Sequence, residues 1–316
     1  MRSRKQIWLV VGIVILAFVP ALPAATTEEL LKDALELLGP PLPQRAPLPA
    51  DNPFSDEKAA LGRALFSDPR LSDDGATSCG GCHELARGGA SAGPPVVGHS
   101  WQREPRKVSS VLNALFNEVV PTDPPGGNRT APLKRRIRAG LDLDVPRPAV
   151  LKRLQDDPAM ARRFAALFPG TDNSISSSTV AKALEAYLAT LITHAPFDAF
   201  LAGDLDAIGP IEKIGLASFI DKGCVACHVG TNLGGASYEI FPIGGPRTDK
   251  QMAVRVRPLR NVALTGPYGY DGSVDQLEGA VAVMLHMHQN EGSLDGDVKT
   301  ITAFLKTLTG RLPEAR

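Results

Sequence analysis

Cys79-Gly80-Gly81-Cys82-His83 and Cys224-Val225-Ala226-Cys227-His228 decide how this chain is read. They are one pattern, C-x-x-C-H, used twice, and they take up all four cysteines of the 316 residues. The pattern is the attachment signature of a c-type haem. Its two thiols add across the porphyrin vinyl groups, and the adjacent imidazole then lies under the ring, in place to bind iron. A thioredoxin-like dithiol would have no need of the histidine and belongs in a βαβ setting. A zinc site would need its ligands to converge, and the two motifs lie 145 residues apart. Each motif is therefore expected to hold one covalent haem, through Cys79, Cys82 and His83 and through Cys224, Cys227 and His228.

The chain before the first motif fits this chemistry. Met1-Arg2-Ser3-Arg4-Lys5 is basic, Ile7 to Val19 is almost wholly apolar, and Pro20-Ala21-Leu22-Pro23-Ala24-Ala25 is a small-residue exit. This is the layout of an export signal, and the apolar run is short for a membrane-spanning helix, which needs about 20 residues. The expected location is the periplasm, with an uncut anchor as the alternative. In an oxidising compartment four cysteines would ordinarily form disulfides; their spacing assigns them to haem instead. Lys plus Arg and Asp plus Glu both number 34, a balance that argues against a nucleic-acid partner. Aromatic residues are only 5% of the chain, beside 30 glycines and 27 prolines. Bound haem would supply the missing apolar contact area.

The local pattern is helical around the motifs. Helices are expected over Glu28 to Leu38, Ser55 to Leu65 with Ser55 as N-cap, residues 148–167, Thr179 to Leu201, Ile211 to Ile220, Leu277 to His288 and Val298 to Leu308. Residues 86–107, 118–150 and 229–272 read as loop, and no run of alternating strands stands out. The expected fold is mainly α, with two cytochrome c-like domains produced by internal duplication. The division is a signal peptide over 1–24, a proline-rich segment over 25–50, an N-terminal cytochrome c-like domain over 51–200 and a C-terminal one over 201–316.

The second axial position of each iron separates electron transfer from peroxide chemistry. Four histidines lie outside the motifs: His99, His194, His286 and His288. His99 sits in a Gly-rich loop that would let it move. Met284 lies on the helix after the second motif, with Met287 and His288 on the same face as rivals, while His286 points elsewhere. His194 is expected to end the long connecting helix as a structural residue.

Several stretches together resemble the bacterial dihaem cytochrome c peroxidase family, which includes the MauG-type enzymes. They are Gly98-His99-Ser100-Trp101-Gln102, Val108 to Asn117, Cys224 to Gly235, Pro258 to Asn261, and Leu264 to Ser273 running on to Met284. The resemblance implies a low-potential peroxidatic haem in the N-terminal half, with His99, sixteen residues after His83, as its second ligand. It implies a high-potential donor haem in the C-terminal half ligated by Met284, fourteen residues after Tyr270. The iron ligands are then His83, His99, His228 and Met284. A carboxylate over the peroxidatic haem falls at Asp142, with Asp144 as a close rival, and would move protons by general acid–base catalysis. His99 and Asp142 are the catalytic candidates.

The departures cluster around the same pocket. Thr122 stands where the family carries the Trp between the haems, Pro132 replaces a Gln, and Tyr270 replaces the His of the PYxHDG signature. Relatives hold calcium between the domains with an Asn side chain and carbonyls of a Thr-x-Pro stretch. Thr265-Gly266-Pro267 preserves the carbonyls, but Lys107 takes the Asn position, and an ammonium accepts no hydrogen bond and cannot ligate a cation. Calcium is accordingly doubtful as a cofactor.

The resemblance implies an exported peroxidase that reduces hydrogen peroxide to water. Its electron donor would be a small soluble protein, a cytochrome c or a cupredoxin, and a homodimer stays open. Two alternatives stand beside this. One is a MauG-like oxidase, disfavoured because MauG-type proteins carry Tyr where Met284 stands. The other is a non-enzymatic dihaem electron-transfer protein.

Overall fold

The computed structural model describes residues 26–72, 75–90, 108–117, 148–170, 174–242, 251–269, 272–288 and 295–313. His99, Trp101, Lys107, Thr122, Pro132, Asp142, Asp144, Tyr270 and the leader 1–24 lie outside them. The described chain is mainly helical, as expected. Helix α1 (Thr27–Leu38) starts at a reciprocal cap, in which Thr26 and Glu29 each take the other's backbone N–H, and it stops at Gly39, whose φ is +81°. Helix α2 (Asp56–Phe66) is capped by Ser55, whose hydroxyl accepts from the Lys58 N–H at 3.2 Å. A single turn, α3 (Cys79–Cys82), carries the first pair of thiols.

Two expected helices are each two. The stretch 148–167 divides into α4 (Pro148–Gln155) and α5 (Pro158–Leu167). Asp157 caps the second by accepting from Ala159 and Met160, and Pro158 at its first position has no N–H to continue α4. The stretch 179–201 divides into α6 (Ser177–Leu188) and α7 (Pro196–Leu201). Pro196 cannot donate to the preceding turn, and the residues between put their backbone groups to other use: the Leu191 carbonyl accepts from Asn113 N–H at 2.9 Å. His194 therefore ends no helix; its Nε2 lies 3.2 Å from the Leu42 carbonyl. Helices α8 (Pro210–Asp221), α9 (Leu277–His288) and α10 (Asp295–Lys306) complete the set.

The region 229–272, expected as loop, contains an antiparallel pair, β1 (Tyr238–Pro242) and β2 (Gln251–Arg255), in the register Tyr238↔Arg255 to Pro242↔Gln251. Each strand is five residues long among glycines, too short to raise an alternating signal.

Two apolar cores form. The first gathers α2, α4, α5 and α6, around Leu61, Leu65, Leu154, Phe164, Val180 and Leu184. The second gathers α7, α8, α9 and α10, around Phe197, Phe200, Leu216, Val281, Phe304 and Leu308. It also takes in Leu30, Ala34 and Leu38 from α1.

Both cores are built on one plan. Leu61-Gly62-Arg63-Ala64-Leu65-Phe66 on α2 and Ile214-Gly215-Leu216-Ala217-Ser218-Phe219 on α8 share a glycine four residues before a phenylalanine. At each glycine another helix crosses so closely that a Cβ would run into its backbone, at the Ala183 carbonyl of α6 and at the Thr300 carbonyl of α10. Phe66 then meets Tyr187 edge-on at 5.4 Å between ring centroids, and Phe219 meets Phe304 at 5.3 Å. These crossings fix the floor on which each C-x-x-C-H turn sits.

Candidate functional site

The first motif is held as one helical turn. Ser78 caps it, accepting from Gly81 N–H at 3.2 Å, and the His83 N–H donates to the Cys79 carbonyl at 2.8 Å. The chain then bends through Gly88 and Gly89, both at positive φ. The bend brings the Gly89 carbonyl to 3.3 Å from His83 Nδ1. The second motif repeats this by different means. Gly223, at φ +76°, starts a short 3₁₀ turn over Cys224–Ala226, and His228 N–H donates to the Cys224 carbonyl at 2.9 Å. The following loop turns at Leu233, φ +48°, whose carbonyl lies 3.1 Å from His228 Nδ1.

In each imidazole Nδ1 faces a backbone carbonyl and can donate to it, the tautomer that puts the ring lone pair on Nε2 for a metal. Aromatic rings back them: Phe66 lies 6.5 Å from His83 and Phe219 lies 6.3 Å from His228. Burial holds the His83 imidazole below its ordinary pKa, against the raising effect of backbone hydrogen bonds to Gly89 and Ser109. All four cysteines are free thiols. Burial pushes Cys79 and Cys224 up to about 11, so both are neutral at physiological pH. Among the described residues no three His, Cys, Asp or Glu side chains gather as a metal cage. The donor set fits a haem well: two unpaired thiols within four residues, and one oriented imidazole beside them, made twice.

Met284 is on α9, whose Leu277, Val281 and Leu285 are buried in the second core. Met284 falls at the edge of the same face but is itself 38% exposed, so its thioether is not enclosed by that core. His286 is exposed, and Met287 is half-buried.

Several buried polar residues around the motifs escaped the sequence reading. Asp198 and Arg260 form a bidentate ion pair with both contacts at 2.9 Å. The same carboxylate accepts from the Leu42 and Ala195 N–H groups at 2.8 and 2.9 Å. Arg260 Nε donates to the Thr231 carbonyl, three residues after His228, at 2.6 Å. Asn113 and Asn261, both at positive φ before a 3₁₀ turn, donate their amides to one oxygen, Thr193 Oγ1, at 2.8 and 2.7 Å. Asn117 accepts from Asn232 Nδ2 at 2.6 Å. The repeated Asn-Ala-Leu of 113–115 and Asn-Val-Ala-Leu of 261–264 was a visible signal of the paired asparagines. Nothing local in the sequence marks the ion pair.

Comparison with known proteins agrees with this geometry. Residues 56–206 match the family model described as di-haem cytochrome c peroxidase. Over 96% of its length the chain is 36% identical to the cytochrome c551 peroxidase of Pseudomonas aeruginosa, covering 93% of that protein. It is 31% identical to the methylamine utilization protein MauG of Methylorubrum extorquens, over 84% of this chain and 82% of that one. Among solved structures, a MauG-like protein associated with microbial copper homeostasis superposes with a TM-score of 0.68 at 24% identity, over 85% of this chain and 95% of that one, a likeness of fold. Two C-x-x-C-H turns on two similarly built helical cores, in a sequence that follows the Pseudomonas peroxidase almost end to end, make this chain a member of the di-haem cytochrome c peroxidase family.

Proposed function

We propose that this dihaem peroxidase reduces hydrogen peroxide to water in the periplasm, drawing electrons from a small soluble redox protein, a cytochrome c or a cupredoxin. The carrying observation is the twice-built turn in which His83 and His228 each face Nδ1 to a backbone carbonyl, the tautomer that offers Nε2 to a metal. Cys79 and Cys82 hold one haem by thioether bonds, and Cys224 and Cys227 hold the other. His99 is the second ligand of the N-terminal haem and Met284 that of the C-terminal haem. Residues 51–200 form the peroxidatic domain and 201–316 the electron-transferring one, behind a signal at 1–24. Among the described residues no helix is long and apolar enough to cross a membrane.

When bound, the two haems supply the iron and the two electrons that peroxide reduction consumes. The protein's part is orientation and proton movement. The Gly89 and Leu233 carbonyls fix the proximal imidazoles and raise their basicity. The His99 loop withdraws to admit peroxide. Asp142 accepts a proton from one peroxide oxygen and returns it to the other, which leaves as water. Calcium is no part of this proposal, because Lys107 takes the place of a liganding Asn.

Spectra of the half-reduced protein test this. A high-spin haem should appear once the first electron arrives, as His99 leaves. Two haems that stay low-spin through both reductions would make the chain an electron carrier instead.

A further inference from the structure

We propose that the Asn117–Asn232 hydrogen bond is the junction of a bonded electron route between the two proximal histidines, and that Asn232 is a positioning residue for transfer between the haems. The route runs entirely through described residues. From His228, Nδ1 meets the Leu233 carbonyl at 3.1 Å. Leu233 is joined covalently to Asn232, whose Nδ2 donates to Asn117 Oδ1 at 2.6 Å. The Asn117 N–H donates to the Ala114 carbonyl at 3.1 Å, and the Ala114 N–H to the Val111 carbonyl at 3.3 Å. The Val111 N–H donates to the Gly89 carbonyl at 3.1 Å, and that carbonyl meets His83 Nδ1 at 3.3 Å. A weaker branch leaves Asn232 Nδ2 for the Asn113 carbonyl at 3.4 Å.

Only one hydrogen bond in this series joins the two halves, and it is the shortest. It is also shielded, since Asn232 is 2% exposed and Asn117 7%. Asn232 is aimed at a cost. Turning Nδ2 toward Asn117 leaves its own Oδ1 buried with no partner among the described residues. An unsatisfied buried acceptor costs about 1–3 kcal/mol, and buried polar orphans in native structures call for an explanation. Electronic coupling falls off less steeply through covalent and hydrogen bonds than across van der Waals gaps, so a continuous bonded series between ligand imidazoles is a better conductor than packing alone. The step moves one electron from the iron held by His228, which is oxidised, to the iron held by His83, which is reduced. No proton or bond is transferred along the route. The donor protein restores the electron and peroxide consumes it, two electrons and two protons giving two waters.

This inference rests on the proposed ligation by His83 and His228. The test uses the full-length holoprotein. One electron is injected rapidly by photoreduction, and redistribution between the haems is followed in the visible spectrum. Both midpoint potentials are measured by spectroelectrochemistry. Asn232→Leu keeps the side-chain volume but removes the donor; Asn117→Asp keeps an acceptor at the same place. Asn232→Leu should slow redistribution by about an order of magnitude or more, with both potentials and both haem spectra unchanged. Asn117→Asp should stay close to the original rate. If leucine prevents haem incorporation, Asn232→Ser withdraws the amide without adding bulk and carries the same expectation. An unchanged rate in the Asn232 variant, or an equal loss in Asn117→Asp, overturns the route. A slowing accompanied by shifted potentials also overturns it, because driving force would then be the cause. Absence of any redistribution in the unmodified protein would instead strike at the proposed dihaem function.

Discussion

Asp198→Asn isolates the buried ion pair beside the second motif. The carboxylate accepts four hydrogen bonds, two from Arg260 and one each from the Leu42 and Ala195 N–H groups, none longer than 2.9 Å. Asparagine keeps the shape but turns one oxygen into an NH₂. Whichever way the amide faces, that NH₂ meets one guanidinium N–H and one backbone N–H. Arg260, with its side chain 1% exposed, also loses its counter-charge. Burial already pulls the Arg260 guanidinium below its ordinary pKa, with Asp198 pulling the other way. Removing one partner of such a pair costs about 3–5 kcal/mol. With a urea m-value of about 3 kcal/mol/M, the unfolding midpoint should fall by about 1–1.7 M. Equilibrium urea unfolding of the holoprotein, followed by far-UV circular dichroism, measures it. The double variant Asp198→Leu with Arg260→Met should recover much of the loss, since no lone charge remains. A midpoint shift in Asp198→Asn well below half the expected size would mean that water or another group compensates Arg260, and the reasoning fails.

Gly62→Ala and Gly215→Ala should each destabilise despite the helix-propensity gain of about 1 kcal/mol. Each new methyl is driven into a crossing backbone, and overpacking costs about 1–3 kcal/mol, here at the upper end; thermal melts of the two variants check the sign. Met284→His should lower the potential of the C-terminal haem, because imidazole donates more strongly than thioether to ferric iron; redox titration that leaves both potentials in place would point to Met287 or His288. Asp142→Asn should reduce peroxide turnover by about 10²–10⁴-fold with haem spectra nearly intact, and a steady-state assay showing only a marginal loss would move the role to Asp144.

What the sequence discloses here depends on how local the cause is. The two C-x-x-C-H turns are legible because their geometry is set within five residues. The helix starts at Thr26 and Ser55 are legible because a cap is decided within four residues. The break at Pro196 was also local, yet the apolar repeat from Val180 to Leu191 masked it, and the non-helical residues just before Pro196 answer to Asn113, far away in the chain. The pair Asp198–Arg260 and the junction Asn117–Asn232 join residues 62 and 115 positions apart. No periodicity reports such a meeting: the first exists only once the second half has folded, and the second only once the two halves meet. The short strands at 238–242 and 251–255 failed for want of length rather than of distance.

The placement of α1 has a consequence for how the molecule is assembled. Its buried face, Leu30, Ala34 and Leu38, belongs to a core whose other members all lie at Phe197 or beyond. During synthesis the first core can close as soon as residues 56–191 have emerged, while α1 still waits with its apolar face uncovered. The earliest described helix is thus among the last to be buried. The chain is a loop closed upon itself, in which the first half is completed inside an unfinished second half, and a cut between the two would orphan a helix on the wrong side.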